Sequence, residues 1–183
     1  MSDHIETVAF GGGCFWCTEA VFLQLRGVIF VMPGYAGGSV PDPTYEEVSS
    51  GHTAHAEVVK IEYDPDVLPF RKLLEVFFSA HDPTTPNRQG ADVGTQYRSI
   101  ILYTTDEQKR EAENVMAELT AAKKFDTPVV TELKLLEAFY PAEEYHRNYY
   151  EKNPGVPYAE TVIAPKVETV RREHPGLLKK RSG

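Results

Sequence analysis

Cysteine is scarce: the chain has two among 183 residues, Cys14 and Cys17, three positions apart. A secreted domain stapled by disulfides needs more of them, spread more widely. Long apolar runs are also missing. Nothing approaches the ~20 residues of a membrane-crossing helix, and Met1 to Glu6 carries no basic-then-apolar leader pattern. Positive charge is short, with 19 Lys and Arg against 27 Asp and Glu and a formal net charge of -8. That balance argues against nucleic acid and anionic membrane as partners. There is no internal repeat and no phosphate loop, since Gly11-Gly12-Gly13 lacks the spacing and acidic partner of a dinucleotide fingerprint. These absences point to a cytoplasmic protein. Two close thiols in a reducing compartment then indicate redox chemistry or metal binding.

What is present is ordinary for a globular chain. Hydrophobic residues at 42% and charged residues at 25% exclude wholesale disorder. The length fits a single domain, expected over residues 1–170, and a monomer. The basic, polar run of residues 171–183 reads as a flexible tail. Thr7 to Phe10 reads as a strand feeding a glycine loop, and Cys14 to Leu25 as a helix. Val28 to Tyr35 and the alternating run His55 to Tyr63 are strands, separated by a loop with one short helical turn. Phe70, Leu73, Leu74 and Phe77 mark a helix to about Ala80. The polar, Gly- and Pro-containing stretch His81 to Thr95 is a long loop, of the kind that usually carries function. Arg98 to Tyr103 is a strand, Asp106 caps a helix to about Lys124, and Val129 to Leu136 is another strand. Tyr145 to Lys152 is the last short helix. The order predicts an α+β, two-layer sandwich with a mixed sheet, flanking helices and a ferredoxin-like core.

Gly11-Gly12-Gly13-Cys14-Phe15-Trp16-Cys17 puts a thiol at the start of a helix. Open backbone N–H groups and the helix dipole there favour a thiolate, so a lowered pKa is expected for Cys14. In a C-x-x-C pair the first thiol sits nearest those groups and the second lies inside the helix. Cys14 should therefore attack and Cys17 resolve; the plain alternative is two structural cysteines in a core helix. Glu57 shares a strand face with His55, Val59, Ile61 and Tyr63, while Lys60 and Glu62 lie on the other. A carboxyl on a buried face has a raised pKa and donates protons near neutral pH; the alternative is a strand-end Glu reaching water. Tyr35 and Tyr97 fall where loops meet a sheet edge, a usual place for binding groups or for packing.

Several ordered strings resemble the methionine sulfoxide reductase A family. They are Gly13-Cys14-Phe15-Trp16 with Glu19, Gly34-Tyr35-Ala36-Gly37-Gly38, and Gly51-His52-Thr53-Ala54-His55-Ala56-Glu57. Tyr63-Asp64-Pro65, His81-Asp82-Pro83-Thr84, the run Gln89 to Ser99 and Tyr140-Pro141-Ala142-Glu143 continue the resemblance, from about Val8 to about Pro154. It implies reduction of the S epimer of methionine sulfoxide, free or in proteins, with no cofactor and no metal. Carried onto this chain, it implies that Cys14 attacks the sulfoxide sulfur and Glu57 protonates its oxygen. Tyr35 and Tyr97 donate hydrogen bonds to that oxygen, Asp92 positions solvent and substrate, and Phe15 and Trp16 form the apolar wall for the methyl group. Attack leaves Cys14 as a sulfenic acid.

The chain departs from the common family pattern twice. Cys17 stands where many members carry Gly, and Asn153 to Ala159 lacks their resolving cysteine. The two changes compensate, giving a Cys14–Cys17 disulfide suited to a thioredoxin-like reductant. Two other readings compete. A general thiol–disulfide oxidoreductase would use Cys14 and Cys17 but leave Glu57, Tyr35 and Tyr97 idle. A zinc-stabilised interaction module would take Cys14, Cys17, His52 and His55, although the His spacing is too short for the usual site.

Overall fold

The computed structural model describes residues 3–180. A six-stranded sheet forms its centre, in the order β7-β6-β1-β3-β2-β8. The strands are β1 (Glu6–Gly11), β2 (Val28–Ala36), β3 (Ala56–Tyr63), β6 (Ile100–Tyr103), β7 (Glu132–Leu135) and β8 (Phe139–Pro141). A two-stranded ribbon of β4 (Arg88–Gln89) and β5 (Asp92–Val93) lies inside the expected long loop. Only β6 and β7 pair in parallel, so the sheet is mixed. The helices are α1 (Phe15–Phe22), α2 (Tyr45–Ser49), α3 (Phe70–Ala80), α4 (Asp106–Ala121), α5 (Tyr149–Lys152) and α6 (Ala164–Glu173). Strands β6-β1-β3-β2 with α1 and α3 make the expected ferredoxin-like core.

The pleat sends alternate residues to the two faces. Phe10 pairs with Val59 and Ile101, and Val31 with Ile61. With Leu73, Leu74 and Phe77 of α3 and Val21 and Phe22 of α1 they form the main core. The rings of Phe10, Phe22 and Phe77 stack there, with Phe10–Phe77 centroids 4.6 Å apart. The opposite face is a thinner layer of Ala9, Ala36, Ala56, Val58, Ile100 and Leu102, covered by Leu136 and Phe139.

The elements differ from the sequence reading at several places, the unread strand β8 among them. Helix α1 ends at Phe22 rather than Leu25. Thr105, not Asp106, caps α4: its Oγ1 accepts the Gln108 N–H at 3.1 Å. Helix α5 is not the last, because α6 follows with only Val167 and Val170 buried. The expected flexible tail therefore begins inside a helix. Arg171 Nε donates to Gln24 Oε1 at 2.7 Å, the Arg26 N–H donates to the Leu177 carbonyl at 2.8 Å, and the Lys179 N–H donates to the Gln24 carbonyl at 2.7 Å. Residues 171–180 thus close over the turn after α1. Residues 181–183 lie outside the described part.

Candidate active site

Strand β1 ends at Gly11, and Gly12 and Gly13 turn the chain into α1. Gly13 adopts φ 91°, which a side chain would strain, and its N–H donates to the Tyr97 carbonyl at 3.1 Å. A Cβ on Gly12 would lie 2.8 Å from the His81 ring, so the turn needs glycine for close approach. His81 donates from Nδ1 to the Phe77 carbonyl (2.6 Å), and its Nε2 accepts from Ser99 Oγ (2.8 Å). Burial lowers its pKa to about 4, so it backs the turn as a neutral ring.

Cys14 is the extended N-cap of α1 and 8% exposed. Its pKa is raised well above the ordinary thiol value, opposite to the expectation from the helix start. Burial is the main cause, followed by the Glu57 and Cys17 charges. The Trp16 backbone N–H and the Tyr158 hydroxyl pull the other way and lose. Magnitudes decide this. A helix terminus contributes ~0.3–1 kcal/mol to an exposed charge, whereas taking an ion out of water costs several kcal/mol. Cys14 rests as a thiol. Cys17, 2% exposed, is also raised, first by burial. Both cysteines are free.

Glu57 sits on β3, directly opposite Tyr35 of β2, on the helix-covered face. The reading of its register is correct: the residue is 1% exposed. Its Oε1 accepts the Phe15 N–H at 3.3 Å, and its Oε2 is buried without a protein partner. Burial pushes its pKa up to about 8, the Phe15 N–H opposes the shift, and Asp92 adds to it. At neutral pH the carboxyl is protonated, and the hydrogen belongs on Oε2.

The two tyrosines are not equivalent. The Tyr35 hydroxyl donates to Glu143 Oε1 at 2.9 Å, and Glu143 Oε2 also accepts the Tyr45 N–H at 3.1 Å. Tyr97 lies among Glu57, Tyr45, Asp92 and Cys14, whose charges, after burial, raise its pKa. Phe15 is fully buried against Tyr35 and His146, with centroids at 5.7 and 5.0 Å. Trp16 is partly exposed. Its Nε1–H donates to His146 Nδ1 at 3.0 Å and its ring stacks on Tyr149 at 3.7 Å. Asp92 accepts the Tyr158 hydroxyl at 2.9 Å. The expected site residues Cys14, Phe15, Trp16, Cys17, Tyr35, Glu57, Asp92 and Tyr97 are thereby linked through direct contacts or mutual electrostatic influence.

Tyr158, which faces both thiols, is absent from the sequence reading. So are His146, Tyr149 and the role of Glu143. The strings that hold Glu143 and Tyr158 offered a signal, Tyr140-Pro141-Ala142-Glu143 and Asn153 to Ala159, but the second was read only for its missing cysteine. Glu19, 2% exposed, faces the backbone N–H groups of Asn148 and Tyr149 and ties this segment to α1. His55 is committed to structure: its Nδ1 accepts the Gly38 N–H at 3.0 Å, and its Nε2 donates to the Val40 carbonyl at 2.6 Å. That removes it from a zinc site with the cysteines.

The peptide methionine sulfoxide reductase family profile matches residues 6–177. The chain belongs to this family. A relative named peptide methionine sulfoxide reductase MsrA, from Sulfolobus acidocaldarius, is 56% identical over 93% of this chain and 96% of its own length. The solved methionine sulfoxide reductase A of Corynebacterium diphtheriae superposes with a TM-score of 0.74 at 38% identity, covering 84% of this chain and 77% of that one. Mxr1 from Saccharomyces cerevisiae in reduced form gives 0.76 at 34% identity, covering 83% and 87%. The yeast protein has also been solved in complex with Trx2. This reductase shares with those relatives the α+β fold described above. No helix among the described residues is long and apolar enough to cross a membrane.

Proposed function

We propose that this enzyme reduces the S epimer of methionine sulfoxide, free or in proteins, through Cys14, Glu57 and Cys17. The observation that carries the reading is the protonated, buried Glu57 beside a buried thiol, with one carboxyl oxygen left unpartnered. Cys14 Sγ attacks the sulfoxide sulfur while Glu57 transfers its proton to the oxygen. The oxygen passes to Cys14 as the sulfenic acid, methionine leaves, and the Cys14 thiol proton replaces the one Glu57 gave up. Cys14 is oxidised by two electrons and the sulfoxide is reduced by two. Negative charge that grows on the oxygen meets donors already in place, which is worth more in a dry site than in water. Tyr97 is such a donor. Tyr35 joins when its hydroxyl turns from Glu143. Asp92 acts by holding Tyr158 against the thiols, and Trp16 with Phe15 forms the wall for the substrate methyl.

Cys17 then attacks the sulfenic sulfur, water leaves, and a Cys14–Cys17 disulfide remains. A thioredoxin-like dithiol reduces it; the proximity of two thiols in one motif and the Trx2 complex of yeast Mxr1 support that partner. We place the enzyme in the cytoplasm, where reduced thioredoxin-type donors are available. A general thiol–disulfide oxidoreductase is disfavoured because it leaves Glu57 without a role. Turnover on separated R and S sulfoxides with dithiothreitol as reductant tests the reading. Turnover of the S epimer alone is expected, and equal turnover of both would refute it.

A further inference from the structure

Cys17 lines a small cavity of about 10 Å³, the room of a single water, together with Gly12, Thr18, His81 and Lys166. Behind it runs an open groove of about 850 Å³ between α3, α4 and α6. Ala80, His81 and Lys166 border both spaces, so the α6 lysine stands between the buried thiol and the groove. Its Nζ comes within 3.8 Å of where a Cβ on Gly13 would sit, beside the backbone that enters Cys14. Among the described residues, Lys166 makes no ion pair with a carboxylate. The sulfoxide chemistry leaves this ammonium unused.

Resolution of a sulfenic acid needs a thiolate, because the thiol is a poor nucleophile. Burial opposes a thiolate at Cys17, and the charges of Asp92 and Glu57 oppose it further. His81, at the same cavity, is neutral and lends no charge. Two groups favour it: Lys166 from α6 and the Tyr158 hydroxyl from the segment before α6. Tyr158 is shared with Cys14 and with Asp92. Lys166 is the cation of the set.

We propose that Lys166 is a positioning residue for the second half of the reaction, its ammonium favouring the Cys17 thiolate that attacks the Cys14 sulfenic acid. This rests on Cys17 being the resolving thiol. The S–S bond forms as the Cys14 S–O bond breaks. The leaving hydroxide takes up the proton Cys17 released, and water is the product. Cys17 is oxidised and the sulfenic sulfur reduced, so no other oxidant enters. The lysine supplies from the helix after Tyr158 what a resolving thiol inside a buried helix lacks.

The test follows disulfide formation by rapid quench and mass spectrometry after one equivalent of methionine-S-sulfoxide, between about pH 6 and 9. Wild type, Lys166→Met and Lys166→Arg are compared. Lys166→Met should release its first methionine at the normal rate, which also shows that it is folded. It should then form the disulfide about tenfold more slowly at neutral pH, with the rate profile displaced upward by about one pH unit. Lys166→Arg should restore both. A normal rate and profile in Lys166→Met would overturn the assignment. So would a slow rate with an undisplaced profile in both variants, which would mark the lysine as packing. Cys17→Ser separates the two failures: full turnover of that variant with a thioredoxin-type donor would refute the resolving role of Cys17 itself.

Discussion

The sheet and the C-terminal segment supply the two halves of this site in different ways. Glu57 and Tyr35 are cross-strand partners on β3 and β2, fixed by register one pair before the end of the hydrogen-bonded ladder. Glu143, His146, Tyr149, Tyr158 and Lys166 come from short helices and turns between β8 and the end of α6. Side-chain hydrogen bonds, the stack on Trp16 and a buried cluster of Ala159, Ile163 and Val167 against Cys17 and Ala20 hold that segment in place. Rigid pairing suits the half that must meet a developing charge without rearranging. The C-terminal half surrounds the thiols. There Cys14, the extended N-cap of α1, and Cys17, in its first turn, must bring their sulfurs to disulfide geometry.

Loss of the nucleophile, where the two halves meet, is the most severe way to break the site. Cys14→Ser should abolish reduction of the S epimer, because an alcohol at this position does not ionise to attack sulfur; surviving turnover would move the chemistry elsewhere. Glu57→Gln should slow single-turnover methionine release by at least ~100-fold, the scale of general acid catalysis. Wild type should lose rate as the pH rises through about 8, where Glu57 gives up its proton, whereas Glu57→Gln should show no such fall. A near-normal rate in that variant would make the carboxyl structural.

The same substitution should raise stability. Folded Glu57 keeps its proton up to about 8, against an ordinary value of 4.5. Between those values the folded chain binds more protons than the unfolded chain, so stability falls as the pH rises. Glu57→Gln removes that loss and should gain roughly 2–4 kcal/mol near pH 8 but little near pH 4. Denaturant melts of the two proteins at both pH values check this, and parallel melts throughout would contradict the protonated state. Smaller effects should distinguish the tyrosines. Tyr97→Phe should cost about tenfold in single-turnover rate, one good hydrogen bond. Tyr35→Phe should cost less, because its hydroxyl is already given to Glu143. Quench-flow rates in the reverse order would mean that Tyr35 is the principal oxygen donor.

The same division explains how much was legible in the chain itself. Strand β3 could be read because residues 55–63 alternate and stop at Asp64-Pro65, and the alternation put Glu57 on the buried face. Helix α3 could be read because its apolar residues recur at helical spacing. Helix α6 could not: Val167 and Val170 are its only buried residues, too few for a period. Tyr158 and His146 act through contacts with Asp92 and Trp16, 66 and 130 positions away, and no local pattern encodes such distances. The pKa of Cys14 was misjudged for a related reason. The helix start is visible in Gly13-Cys14, but the burial that outweighs it comes from the folded surroundings.

The most direct measurement is the mass of the protein after a single turnover, with a sulfenic-acid trap present. Wild type treated with one equivalent of methionine-S-sulfoxide should release one methionine, lose two hydrogens, and yield a peptide map with Cys14 joined to Cys17. Cys17→Ser should release the same methionine and carry the trap on Cys14. A trapped adduct on Cys14 in wild type, or an unmodified Cys14 in Cys17→Ser after methionine has been released, would contradict attack by Cys14 and resolution by Cys17.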